Sequence, residues 1–151
     1  MEGLEAFIVR AKARTYVGGG ATRPPCRPGS HDIGYEEGAW SYLDSYFGGT
    51  DFLGQEVVWR DGAPVWAMNY YGRIARSDRI DAATAGSVIK QALSALYREG
   101  RFLGGFTFTV GPHRYVDRSE GGVDSFSGQE TIEIDREEVY RLDYHGGLIR
   151  P

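Results

Sequence analysis

The pentapeptide F52-L-G-Q-E56 returns almost unchanged as F126-S-G-Q-E130. Two further lines extend the match. YLDSYFGGTD (42–51) lies over YVDRSEGGVD (115–124), and, once Ser125 is skipped, FLGQEVVWRDGAPVWAMNYYGRI (52–74) lies over FSGQETIEIDREEVYRLDYHGGL (126–148). The identical pairs are Tyr42/Tyr115, Asp44/Asp117, Gly48/Gly121, Gly49/Gly122, Asp51/Asp124, Phe52/Phe126, Gly54/Gly128, Gln55/Gln129, Glu56/Glu130, Val65/Val139, Tyr70/Tyr144 and Gly72/Gly146. Unrelated segments of this length share roughly two residues at ordinary amino-acid frequencies, and self-similarity at a fixed period is the mark of repeated units.

Working outward, each half reads as a helix followed by four strands. Leu4, Phe7, Ile8 and Ala11 form one apolar stripe, which predicts a helix over 4–15. GGGATRPPCRPGS (18–30) is full of breakers and predicts a loop without regular structure. HDIGYEE, AWSYLDSYF, GQEVVWR and PVWAMNYYG follow as strands, with the Asp61-Gly62 pair marking a hairpin. A second helix spans 82–98, with Asp81 as N-cap, Gly100 after its end, and Val88, Ile89, Ala92, Leu93 and Leu96 as its buried stripe. GFTFTV, HRYVDRS, QETIEID and EVYRLDYHG complete the second set. The expected fold is α+β: a helix plus a four-stranded antiparallel meander, duplicated, packed as one domain over 1–151 with a curved sheet or barrel. Repeat 1 would cover about residues 1–75 and repeat 2 about 76–151.

Composition narrows the function. The chain has 151 residues, 41% of them apolar, and its net charge of −4 offers no basic stripe for nucleic acid. No apolar run approaches the roughly 20 residues that cross a bilayer. The N-terminal MEGLEAFIVRAKARTYV has no basic region followed by an apolar core and a cleavage site. Cys26 is the sole cysteine, so no intrachain disulfide forms, as in a reducing cytoplasm. The expected partner is a small organic ligand, with neither nucleic acid nor membrane bound by this chain alone; a homodimer stays open.

Strand alternation then orients the side chains. Glu130 shares a face with Ile132 and Ile134, and Glu56 shares one with Val58. Tyr140, Leu142 and Tyr144 face together, as do Trp66, Met68 and Tyr70. A carboxylate on an apolar face either takes up a proton or finds a donor. Glu56 and Glu130 are therefore candidate acid–base groups. Tyr42, Trp66, Tyr70, Tyr115, Tyr140 and Tyr144 are candidate ligand contacts. The alternative is that the two glutamates only fix the sheet through hydrogen bonds. The GGxD turns at 48–51 and 121–124 read as turns rather than phosphate or metal loops. Arg23 and Arg27 read as solvated loop residues, and His145, with Asp143 and Arg141, as a surface residue. His31, His113 and His145 have no metal-ligand spacing. There is no P-loop, nucleophile elbow or dinucleotide fingerprint. No metal and no cofactor is expected.

Three segments, RPGSHDIGYEEG, YLDSYFGGTDFLGQEVVWRDGAPVWAMNYYGRI and YHGGLI, resemble the bacterial family of domains of unknown function numbered 5680, most specifically at VWAMNYYG. Members of that family stand alone or follow an Xre-type helix-turn-helix. The resemblance implies an effector sensor or a relative of one, and it supplies no catalytic residues. The leading expectation is thus a small-molecule-binding domain with an aromatic, carboxylate-bearing cavity. The alternatives are a cofactor-independent lyase, isomerase or cyclase using a cavity glutamate, and a protein that interacts through an edge strand.

Overall fold

The computed structural model describes residues 3–150; residues 1, 2 and 151 of the expected domain range lie outside the described residues. Helix α1 (Leu4–Lys12) runs into a π-helical turn at Ala13–Val17. Strands β1 (Thr22–Arg23), β2 (His31–Glu37), β3 (Trp40–Gly48), β4 (Phe52–Arg60) and β5 (Ala63–Ile74) follow. Helix α2 (Ala82–Arg98) leads to β6 (Phe106–Val110), β7 (His113–Gly122), β8 (Ser125–Ile134) and β9 (Glu137–Leu148).

All nine strands join one antiparallel sheet in the order β1-β2-β3-β4-β5-β9-β8-β7-β6. This corrects the expectation of a duplicated helix and four-stranded meander forming a curved sheet or barrel. The sheet is open, with β1 and β6 as unpaired edges. A ninth strand is present, and the helices differ in kind: α1 has 9 residues and ends in a π turn, whereas α2 has 17. The two sets of strands fuse because β5 pairs with β9 from Trp66↔Leu148 to Ile74↔Tyr140. That long-range pairing leaves no local trace in either strand.

Local rules hold inside this architecture. Asp61 and Gly62 both take positive φ, 51° and 81°, as a two-residue hairpin turn requires. The Asp81 carboxylate accepts from the Thr84 N–H at 2.7 Å and caps α2. The 18–30 segment is better ordered than its Gly and Pro content predicts. Thr22 and Arg23 pair with Ile33 and Asp32. The Cys26 N–H donates to Asp32, and the Arg27 guanidinium donates to both the carbonyl and the hydroxyl oxygen of Ser45.

Both helices cover one face of the sheet. Leu4, Phe7, Ile8 and Ala11 of α1 and Ala85, Val88, Ile89, Ala92, Leu93 and Leu96 of α2 are buried. They meet Tyr42, Val58, Trp66, Tyr115, Ile132 and Tyr140 from the strands. Burying such side chains contributes about 1.5–3 kcal/mol each. The opposite face carries polar cross-strand pairs, Gln55 donating to Asn69 and Gln129 to Asp143, both at 2.8 Å.

Candidate functional site

Sheet register assembles the site. Asp44 on β3 lies opposite Glu56 on β4, which lies opposite Met68 on β5. In the other half Asp117 lies opposite Glu130, which lies opposite Leu142. Directly paired residues project to the same side of a sheet, so four carboxyl groups point at the helix layer. Where the halves meet, Tyr70 pairs with Tyr144. The Tyr70 hydroxyl donates to Asp44 and the Tyr144 hydroxyl to Asp117, each at 2.6 Å. Each ring crosses a glycine on the neighbouring strand: a Cβ at Gly54 would collide with Tyr70, and one at Gly128 with Tyr144.

The helix layer answers with one cation. Lys12 ends the apolar stripe of α1 one turn beyond Ile8, and its ammonium lies 2.8 Å from Oε1 and 2.6 Å from Oε2 of Glu56. Both side chains are less than a tenth exposed. The π turn that follows carries Tyr16 to the same side. Such turns are frequent at functional sites.

Between the layers lies a cavity of about 230 Å³. Exposed Gly48, Gly49, Thr50 and Ala82 mark its mouth, between the β3–β4 turn and the first turn of α2. Lys12, Glu56, Asp44 and Glu130 lie on its walls with six tyrosines: Tyr16, Tyr42, Tyr46, Tyr70, Tyr97 and Tyr140. A second chamber of about 20 Å³ adjoins it, lined by Tyr115, Asp117, Tyr144 and Phe102. The two share Lys12, Met68, Leu93, Tyr97 and Glu130.

Burial sets the protonation of this cluster. Glu130 is pushed up to about 8 by desolvation first and by the nearby Asp117 charge, against the pull of Lys12 and the Tyr115 hydroxyl. It therefore carries a proton at neutral pH. Asp44 is raised by desolvation and then by the Glu56 charge, while its Tyr70 hydrogen bond and Lys12 oppose the shift. Asp117 is raised by burial, opposed by Tyr144 and Arg101. Burial also keeps the phenols of Tyr42, Tyr97 and Tyr140 protonated well above their usual range. The cavity can thus donate hydrogen bonds from the protonated Glu130 carboxyl and from phenols, and it can hold negative charge once a cationic group enters.

The family model described as Domain of unknown function (DUF5680) matches residues 44–149. The chain belongs to this family. No curated protein and no solved structure matches it. The DUF5680 match takes in the four carboxyl groups and the Tyr70–Tyr144 pair, and it begins after Lys12, Tyr16 and Tyr42.

Of the residues singled out in the sequence, Glu56, Glu130, Tyr42, Tyr70 and Tyr140 meet in the main cavity, while Tyr115 and Tyr144 stand in the second chamber. Trp66 lines neither. It is fully buried, stacked on Phe126 at 5.8 Å and edge-on to Phe102. His145 is exposed, as alternation places it. Sequence reasoning missed Lys12, Asp44 and Asp117. The signals were present: Asp44 and Asp117 share faces with Tyr42 and Tyr115, and Lys12 continues an apolar stripe. No helix among the described residues is long and apolar enough to cross a membrane, and none of their His, Cys, Asp and Glu side chains form a metal-holding group.

Proposed function

We propose that this protein binds a small aromatic amine in the main cavity, as the sensor-like domain of a bacterial cytoplasmic protein. The observation that carries this reading is Glu130. It is a carboxyl group on the wall of an open, tyrosine-lined cavity, and, unlike Glu56, it has no ion-pair partner within 4 Å among the described residues. An incoming ammonium group would supply that partner. Size supports the class. The cavity lies below the roughly 300–1,000 Å³ usual for ligand pockets, yet a cavity of about 150 Å³ takes benzene. One ring with a short amine arm fits. The free thiol of Cys26 supports a cytoplasmic setting, and the expectation that members of the family stand alone or follow an Xre-type helix-turn-helix supports the sensor role.

A second reading is cofactor-independent acid–base catalysis of the lyase, isomerase or cyclase type. It is favoured by Glu130 holding a proton near neutral pH beside an open cavity. An edge-strand interaction through β6 would leave the cavity without a role.

Calorimetric titration with phenethylamine, and with ethylbenzene as its neutral analogue, tests the lead reading. Saturable binding of the amine is expected. Glu130→Gln should weaken it at least tenfold while melting at the same or a higher temperature. Absence of binding overturns the reading, as does a Glu130→Gln variant that loses stability but keeps its affinity.

A further inference from the structure

The second chamber holds the same chemistry as the first but almost no space. Asp117 accepts from Tyr144, faces Glu130 across the β7·β8 pairing, and is 4% exposed. Its second carboxylate oxygen, Oδ2, is buried without a hydrogen-bond partner among the described residues. An acceptor left unmatched in a protein interior is costly to stability. The chamber's volume of about 20 Å³ is room for one water molecule.

One wall of the chamber is Phe102. It arrives from the segment between α2 and β6 and is 6% exposed. Its ring packs edge-on against Trp66 at 5.8 Å and Phe126 at 5.9 Å, and the Lys12 ammonium sits 5.6 Å from its centroid. The corresponding constellation at Asp44, Glu56 and Tyr70 opens instead onto the main cavity. Glu130 and Lys12 line both spaces.

We propose that the Asp117 chamber is a second ligand subsite and that Phe102 determines whether a ligand reaches it. This rests on the amine-binding reading of the main cavity and deepens it. With Phe102 in place the site takes a ligand with one amine, held at Glu130. With a smaller side chain at 102 the two spaces join, and a second ammonium group can meet the free oxygen of Asp117. The favoured ligand then changes from a monoamine to a diamine.

Titrations with phenethylamine and with p-xylylenediamine, on wild type, Phe102→Ala, Phe102→Leu and Phe102→Ala/Asp117→Asn, decide it. Phe102→Ala should bind the diamine at least tenfold more tightly than wild type does, and Phe102→Leu should show a smaller gain. If the alanine variant does not fold, the leucine variant and its Asp117→Asn derivative carry the comparison. Adding Asp117→Asn should erase the gain. Phenethylamine binding with no diamine gain in either Phe102 variant overturns this inference alone, and so does a gain that survives Asp117→Asn. Failure of both amines to bind any of the proteins overturns the parent reading, and this one with it.

Discussion

Glu56 and Glu130 occupy matched register positions, yet their surroundings give them different work. Glu56 is neutralised by Lys12 at 2.6 Å, and both partners are almost wholly buried. Removing one member of such a pair leaves an uncompensated buried charge, at a cost of about 3–5 kcal/mol. Lys12→Met should therefore lower the melting temperature by on the order of 10 °C for a chain of this size. Lys12→Met with Glu56→Leu should recover most of that loss, since an apolar pair fills the same space without a stranded charge. Thermal melts of the two variants check both. Glu130 has no such partner among the described residues, and its sign is the opposite of an ordinary surface acid. A carboxyl raised from 4.5 to about 8 in the fold contributes stability that is fully present below its unfolded pKa. That stability is lost as pH rises through about 8. Melting curves at pH 5 and pH 9 should show Glu130→Gln gaining on wild type at the higher pH. A difference that stays constant between the two would mean that Glu130 is ionised throughout.

At the scale of elements, α2 forms one wall of the cavity's mouth, and it does so with a glycine in its second turn. Gly86 lines the cavity, and a Cβ built there meets no atom within 4 Å. Glycine inside a helix costs about 1 kcal/mol relative to alanine. Gly86→Ala should therefore raise the melting temperature by about 2–4 °C, with little effect on phenethylamine binding. Gly86→Leu should keep much of that stability and lose binding, because its side chain reaches into the mouth. Melts and titrations on the same preparations separate the two effects. Most of these elements were legible in the sequence because their causes are local. Runs of β-type residues between turn signals located β2 to β9, the Asp61-Gly62 pair located a hairpin, and the stripe from Val88 to Leu96 with the Asp81 cap located α2. The misses have causes that are not local. β1 hides in a breaker-rich segment and exists because Arg27 and Asp32 tie that segment down. Lys12 is a cation on an apolar stripe, and its place becomes clear only when Glu56 arrives from β4. The single sheet depends on β5 meeting β9, a pairing of distant strands that alternation within each cannot reveal.

For the whole molecule, stability and binding should answer pH in opposite senses on the alkaline side. Two of its groups, Asp32 and Glu130, pull in opposite directions. Asp32 is held at about 2 although burial pushes it up, because Cys26 and the Ser45 hydroxyl donate hydrogen bonds to it. A depressed acid contributes stability above its unfolded pKa of 3.8 and loses it as pH falls through about 2. Glu130 contributes at low pH and loses its contribution as pH rises through about 8. The free protein should be most stable on the acid side of neutrality. Ligand binding uses the other form of Glu130. An aliphatic amine, with a pKa near 10.4 in the lysine case, stays cationic from pH 6 to 8. It pairs with the ionised carboxylate alone, whose fraction grows about tenfold per pH unit below the pKa. Phenethylamine affinity should climb by nearly tenfold between pH 6 and 7, more slowly to pH 8, and level off above it, while the melting temperature of the free protein falls. Calorimetry across that range, with melts of the unliganded protein beside it, measures both slopes. In Glu130→Gln the affinity slope should vanish. If it persists there and disappears in Asp44→Asn, the anchoring carboxyl is Asp44, which burial and the Glu56 charge also raise. A flat affinity profile in wild type would mean that neither acid gains its charge between pH 6 and 8 to meet the amine.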